Sequence, residues 1–503
     1  MCGIAVFYGL PLGASIVEEM LRFVQYRGYK NFEIGAIANC ALGANRLDIV
    51  DRDNGRQPCW NEDGTICVVL SGEIYNHDSL RALLTQRGHR TNSYCDTEIL
   101  VHCYEEFGLD FVNQLDGMFA FVLYDSTRDR LLAVRDPFGI KPLYMAYVHS
   151  GRLAFASEIK SFIPLGTSKI HLLPPGSMYM NGEIHRYYDY PSTQWEGSIE
   201  AAQDQLRTLL HNSVKKMVKT NLPVAVFVSG GVDSAIILHL AQTLHPNITA
   251  ISVGLTGSPD LSAAKELCSL MGVKHIWEEY AELNLEEIYE TVVYHLESFE
   301  PNLVRASIFT WLMSRLARRH GFRIALAGEG SDELFGGYAD FAEIEDEAQL
   351  QSELRGFFKD LHQTQLLRWD KIGMAFAVEV RYPFMDRNVV EFAWNLPINL
   401  KVRFQATGGI TKYLLRTSYH DLLPQHIAYR EKIPMDEGAC GSKLILEQLI
   451  HSHVSKFEDS YIDSKTVEEY KLNSTEERYN FLAYRKHYNF EGFGKERVKV
   501  RKK

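Results

Sequence analysis

No stretch of this 503-residue sequence approaches the roughly 20 consecutive apolar residues that a membrane-spanning helix needs, so no membrane partner is expected. Cysteine is sparse: eight residues, at positions 2, 40, 59, 67, 95, 103, 268 and 440, with no C-x-x-C pair among them. On that pattern neither a zinc site nor a disulfide-stapled scaffold is expected, and the thiols read as reduced, in a cytoplasmic setting. The first ten residues, MCGIAVFYGL, lack the basic lead and apolar length of a secretory signal. Basic residues are outnumbered, 53 Lys and Arg against 64 Asp and Glu, a net charge of −11 that argues against nucleic acid as the main partner. The local exception is the basic end from Lys495 to Lys503, read as a solvated terminus. Internal repeats and low-complexity tracts are missing too.

What is present is apolar matter for large cores, 46% hydrophobic against 23% charged residues, over a length suited to two to four domains. Up to about residue 190, short β-branched and aromatic segments at 3–8, 34–38, 66–70, 118–124, 131–134 and 153–156 alternate with turn signals and read as strands. Helical stretches fall near 15–25 and 97–107, so the segment is expected to form stacked sheets flanked by helices. From Ser198 the pattern changes to helix, then strand 224–228, helix 233–244, strand 249–253, helix 262–271, helix 304–320 and strand 323–327. That alternation predicts a doubly wound parallel sheet. The fold class is therefore α+β followed by α/β, in two domains, 2–193 and 194–503.

Two places carry chemistry. With Met1 removed, Cys2 would present a thiol beside a free α-amine of pKa roughly 8, a base able to generate the thiolate without a histidine. Arg46, in Asn45-Arg46-Leu47-Asp48-Ile49-Val50-Asp51, is of the type that clamps a carboxylate with two hydrogen bonds. Glu73, and Asp96 at an expected helix start, suit an ammonium. Together they could hold an amino-acid zwitterion, or be surface ion pairs and a helix cap. The second place is Ser229-Gly230-Gly231-Val232-Asp233-Ser234, straight after the apolar run 224–228. Glycine main-chain amides, two hydroxyls and a helix N-terminus suit phosphate, and Asp233 suits Mg²⁺. The lysine of a G-x-x-x-x-G-K-[ST] loop is missing.

Cys2-Gly3-Ile4, the segment 46–51, Gly72-Glu73-Ile74-Tyr75-Asn76, Asp116-Gly117-Met118-Phe119-Ala120 and Arg135-Asp136 with Gly139-Ile140-Lys141-Pro142 resemble the class II glutamine amidotransferases. Together with Ser229–Ser234, Gly328-Glu329-Gly330-Ser331-Asp332-Glu333, Glu379 to Asp386 and Arg430-Glu431-Lys432, they resemble glutamine-hydrolysing asparagine synthetase, a family whose likeness runs nearly to residue 440. The resemblance implies an N-terminal four-layer αββα sandwich of N-terminal-nucleophile hydrolases and a C-terminal sheet of the ATP-pyrophosphatase type. It implies Cys2 as nucleophile, Ser71 and Gly72 at the oxyanion, and glutamine bound by Arg46, Leu47, Asp48, Ile49, Val50, Ser71, Gly72, Glu73 and Asp96. For ATP it implies Val228, Ser229, Gly230, Gly231, Asp233, Ser234, Val253, Ala327 and Gly328. Mg²⁺ would be held by Asp233 and Asp332, adenylation assisted by Glu329 and Lys432, and the acceptor held by Arg305 and Asp386. A homodimer is left open.

The sequence departs from the family pattern at Ser71, usually Asn, at Tyr29-Lys30, usually Pro-Asp, at Ala327, usually Ser, and at Ile433-Pro434, where a polar Glu usually follows the lysine. The acceptor expected is aspartate; amidation of a different carboxylate in a specialised pathway is the alternative.

Overall fold

The computed structural model describes residues 2–488 except 12, 29–31, 168, 406–407 and 456–461. The basic end 495–503 and the pair Tyr29-Lys30 lie outside the described residues. The chain divides into two compact units, one built largely from Met1–Asp189, the other from Tyr190–Gly373 and Val378–Tyr484.

In the first unit, two six-stranded sheets face each other. The strand Cys2–Tyr8 runs antiparallel between Arg152–Ala156 and Cys40–Arg46 in one. In the other, Ile66–Ile74 runs antiparallel between Cys59–Trp60 and Gly117–Asp125. Side chains alternate across each strand. Cys2, Ile4 and Val6 therefore join Cys67, Val69, Val122 and Ala133 in the core between the sheets. Val68 and Leu70 turn the other way, onto the helices α2 (His77–Gln86) and α3 (Ile99–Phe107). Helix α1 (Ala14–Arg22) covers the opposite sheet with Val17, Met20 and Leu21, and it sits so low on Gly43 that a Cβ there would meet Leu21 at 2.7 Å. Helix, sheet, sheet and helix make the four layers. Asn45 and Arg46 end the strand Cys40–Arg46, which was not among the strands expected from the sequence. Its Ala- and Gly-rich sequence hides a strand that is fully buried between neighbours on both edges.

The second unit carries a five-stranded sheet, all parallel, in the order His275–Tyr280, Ile248–Leu255, Val224–Phe227, Ile324–Leu326, Glu379–Arg381. The first strand in sequence lies at the centre, and the chain winds outward from it in both directions. The point where the winding reverses, between Val224–Phe227 and Ile324–Leu326, is where such sheets bind ligands beyond the strands' C-terminal ends. Helix α4 (Ile199–Met217) precedes the sheet, and Ser198 caps it by accepting from the Ala201 amide. Helices α5 (Val232–Leu244) and α6 (Pro259–Met271) follow the first two strands; α7 (Leu285–Leu296) and α8 (Pro301–Arg319) lead to the fourth. No helix among the described residues is long and apolar enough to cross a membrane.

Candidate active sites

The register of the first sheet sets Cys2 directly opposite Arg46. Cys2 is 4% exposed and lies at the floor of a cleft of about 270 Å³ lined by Arg46, Leu47, Ile49, Val50, Gln57, Gly72, Glu73, Cys95, Asp96 and Thr97. Its main chain is pinned. The Cys2 carbonyl accepts from the Ser71 hydroxyl at 2.8 Å and from Arg27 Nε at 3.4 Å. Arg27 is in turn held by the fully buried Glu158 at 2.7 Å. Gln57 Nε2 lies 3.4 Å from Cys2 Sγ, and its other polar atom accepts from the Leu70 amide at 2.7 Å, fixing the carboxamide's orientation. Burial pushes the Cys2 thiol above its ordinary pKa, while the Leu47 amide and the Arg46 guanidinium pull it back.

Around this thiol the groups have defined duties. Arg46 Nη2 donates to the carbonyls of Val50 and Asp51 and Nη1 to that of Arg52, which shapes the loop and leaves Nε and one Nη1 hydrogen for an anion. Asp96 Oδ2 accepts from the Ile74 amide at 3.0 Å. It caps no helix, since α3 begins after Glu98. Gly72 cannot be replaced without cost: its φ is +150°, and a Cβ would lie 2.1 Å from the Met118 carbonyl oxygen.

In the second unit, Ser229–Ser234 turns from the central strand into α5. Gly230 has φ +73°, and a Cβ on it would lie 2.5 Å from Ala263, so this loop closes directly onto α6. The Ser229 amide donates to Ser234 Oγ at 3.3 Å. A cavity of about 810 Å³ opens above it, lined by Val228, Ser229, Asp233, Ser234, Val253, Ala327, Gly328, Glu329, Asp332, Trp369, Lys432, Ile433 and Met435 among others.

The electrostatic centre of the cavity is a pair of carboxylates and a pair of ammonium groups. Lys412 Nζ bridges Asp233 Oδ2 at 2.5 Å and Asp332 Oδ1 at 2.6 Å, and Lys432 Nζ reaches Asp332 Oδ2 at 2.8 Å. Ser331 donates to the other oxygen of Asp233 at 2.7 Å. Burial works against the charge on Asp332, but Lys412 and Lys432 hold it well below the ordinary carboxylate range. Burial likewise opposes the charge on Lys432, which Asp332 and Asp233 keep well above the lysine range. Glu329 is braced by Arg368 Nη2 at 3.0 Å and by Trp369 Nε1, and the Trp369 ring stacks on Phe227 at 5.2 Å. Arg430 ties the segment before Lys432 to the loop, donating to the Ser229 carbonyl at 2.9 Å and to Asp260 at 2.7 Å.

The structure thus brings most of the expected residues into two places, and leaves some outside. Ser71 does not line the cleft, and its hydroxyl donates to the Cys2 carbonyl. Asp48 does not line the cleft; its carboxylate lies 3.7 Å from Arg52. Gly230 and Gly231 belong to the phosphate-type loop without lining the cavity. Arg305 and Asp386, expected at the acceptor, do not line it either. Arg305 is taken by Glu476 at 2.5 Å and Glu447 at 3.1 Å, and Asp386 caps the helix Arg387–Asn395 while pairing with Lys216. Gln57, Arg368, Trp369, Lys412 and Arg430 were missed. Lys412 and Arg368 reach their carboxylates across 179 and 39 positions of sequence, which no local motif reveals.

Comparison with known proteins bears on both sites. Residues 1–189 match the family described as Glutamine amidotransferase domain. Residues 205–347 and 340–483 match Asparagine synthase. Asparagine synthetase [glutamine-hydrolyzing] 2 of Oryza sativa subsp. japonica is 35% identical over 465 residues, 87% of this chain and 77% of that protein. Asparagine synthetase [glutamine-hydrolyzing] 3 of Arabidopsis thaliana is 34% identical over 484 residues, 91% of this chain and 82% of that protein.

Proposed function

Because the chain belongs to the glutamine-hydrolysing asparagine synthetase family, we propose that residues 2–193 release ammonia from glutamine and residues 194–503 make the aspartyl adenylate that this ammonia attacks. The chain is a carbon–nitrogen ligase that uses ATP, with asparagine, AMP, pyrophosphate and glutamate as its products. The observation that carries the reading is the coexistence in one chain of a pinned cysteine cleft and a cavity in which Ser229, Ser234, Asp233, Asp332 and Lys432 converge.

In the cleft, glutamine's carboxylate goes to the free hydrogens of Arg46 and the turn Leu47–Val50, and its ammonium to Asp96 and Glu73. With Met1 removed, the Cys2 α-amine takes the thiol proton; burial of the thiol makes that base necessary. The thiolate adds to the amide carbon, and the resulting oxyanion meets the Gly72 amide and Gln57 Nε2. Collapse expels ammonia and leaves a glutamyl thioester, which water cleaves.

In the cavity, Val228, Val253, Ala327 and Gly328 frame the adenosine, and the phosphates lie at Ser229, Ser234, the Gly230–Gly231 amides and the N-terminus of α5. Asp233 and Asp332 suit Mg²⁺: both are hard oxygen donors, and they already share one cation, the Lys412 ammonium. They would hold the ion, which when bound neutralises phosphate charge. Lys432, kept charged by Asp332, faces the negative charge that grows as the aspartate side-chain carboxylate attacks the α-phosphorus. Glu329, fixed by Arg368 and Trp369, positions the reacting ends and accepts a proton as ammonia adds to the acyl carbon.

The test is pyrophosphate release from ATP and Mg²⁺ with aspartate or other small acids, driven by glutamine or by ammonium. Release is expected with aspartate from either nitrogen source, and Cys2→Ala is expected to lose the glutamine-driven rate alone. Release with a different acid and none with aspartate refutes the assignment.

A further inference from the structure

Away from both sites, four side chains of the first unit converge: Glu62, His89, His102 and Glu105, whose ligand atoms all lie within 4.8 Å of one another. They come from three separate stretches, the turn before Ile66–Ile74, the loop after α2, and α3. His102 is 1% exposed, and neither of its ring nitrogens makes a hydrogen bond. An imidazole buried in that state lacks the hydrogen bond that most buried polar groups have; burial opposes its charge, but the carboxylates of Glu105, Glu98 and Glu62 around it raise its pKa to about 9, so a metal ion would take the place of a proton there. Its Nδ1 points at Glu62 Oε2 and Glu105 Oε2, each at 3.6 Å, too far to bond; His89 Nδ1 lies 3.8 Å from the same Glu105 oxygen.

The atoms behind three of these four, Glu62, Glu105 and His89, are already supported. The Arg90 amide donates to Glu62 Oε1 at 3.1 Å, and Asn61 Nδ2 to Glu105 Oε1 at 2.8 Å. His89 Nε2 faces Glu106 at 3.3 Å, and His102 Nε2 faces Glu98 at 3.9 Å. Imidazoles backed by carboxylates and carboxylates backed by donors form the outer shell that orients metal ligands. The four inward atoms, by contrast, meet only each other. Bonds of about 2.0–2.1 Å to a tetrahedral zinc place ligand atoms roughly 3.3–3.4 Å apart, so the nearest pairs, at 3.6 and 3.8 Å, need to close by a few tenths of an ångström, and pairs out to 4.8 Å by up to about 1.4 Å, which side-chain rotation of the partly exposed Glu62 and His89 can supply. Two imidazole nitrogens, which give up their protons on binding, and two carboxylate oxygens in four-coordination suit zinc rather than magnesium or calcium, which take six or more oxygens.

We propose that Glu62, His89, His102 and Glu105 form a structural zinc site in the glutaminase half of the chain. It uses no cysteine, which is why cysteine spacing did not announce it. The ion would tie the loop after α2 to α3, and α3 follows directly on Asp96 and Thr97 of the cysteine cleft.

The test uses the full chain after chelator treatment. One equivalent of Zn²⁺ is expected to bind with sub-micromolar affinity and to raise the thermal midpoint. Co²⁺ in its place is expected to show tetrahedral ligand-field bands without thiolate charge-transfer absorption. Glu62→Gln and His89→Gln, both at partly exposed positions, should each weaken binding at least about tenfold while keeping the far-ultraviolet circular dichroism of the parent. Absence of stoichiometric binding, unchanged affinity in the double variant, or a thiolate band in the cobalt spectrum overturns the proposal.

Discussion

At the smallest scale, the proposed glutamine chemistry rests an oxyanion on Gln57. Its carboxamide is oriented from behind by the Leu70 amide and from the side by Thr97 Oγ1 at 3.1 Å, so its donor stays beside the thiol. Gln57→Leu keeps the volume and removes the donor. Loss of one oxyanion donor costs roughly 10²–10³ in rate, so glutamine-driven synthesis should fall by about that factor while ammonium-driven synthesis is retained; equal loss of both would assign Gln57 a purely structural role. Cys2 and the Ser229–Ser234 loop were legible as places because each adjoins an apolar strand that the sequence announces; Arg46 and Asp96 stood out by residue type alone, since the strand that ends at Arg46 is hidden and Asp96 caps no helix. Gln57 and Lys412 were not legible. Each is an ordinary polar residue until a partner 55 or 179 positions away gives it a task. Arg305 shows the converse: the family resemblance assigns it to the acceptor, but distant Glu447 and Glu476 pair with its guanidinium.

At the scale of elements, periodicity identified the strand that carries Cys2, its neighbour Arg152–Ala156 and the alternation of the second unit, but not the Cys2 strand's other neighbour, Cys40–Arg46. It failed where burial overrides composition. The strand Glu379–Arg381 reads as charged, yet Glu379 and Arg381 are 0% and 2% exposed and pair with each other at 2.6 Å, with Arg381 also bonded to the Met217 carbonyl. Helix α2 was overlooked although Leu80 and Leu84, one turn apart, mark its buried face. The short helix Ile398–Lys401 carries a testable consequence of such burial. Its Ile398, with Val402, packs against Tyr338, Phe341, Leu350 and Leu354, and Lys401 is sealed in at 2% exposure. Burial, aided by Arg355, brings the Lys401 pKa down to about 7. The folded state then binds fewer protons than the unfolded chain between about pH 7 and the usual lysine value, so this group destabilises the fold below that window and its penalty fades as pH rises. Lys401→Met should therefore raise the thermal midpoint most near neutral pH, with the gap to the parent closing toward about pH 10. A gap that does not change with pH would mean that Lys401 is charged in the folded protein.

For the whole molecule, two unrelated architectures each place a cleft where their own geometry favours one: a strand end opposite a guanidinium in the layered sandwich, and the winding reversal of a parallel sheet. The family relationship gives these clefts a joint reaction, and the acceptor's own oxygen atoms report on it. If aspartate is activated as an adenylate, one side-chain carboxylate oxygen must leave on AMP when ammonia displaces it. Synthesis from aspartate labelled with ¹⁸O in that carboxylate, followed by mass spectrometry of the nucleotide products, is the most direct measurement. One ¹⁸O per AMP, with unlabelled pyrophosphate, is the expected result; label in inorganic phosphate, with ADP as the nucleotide, would contradict the account.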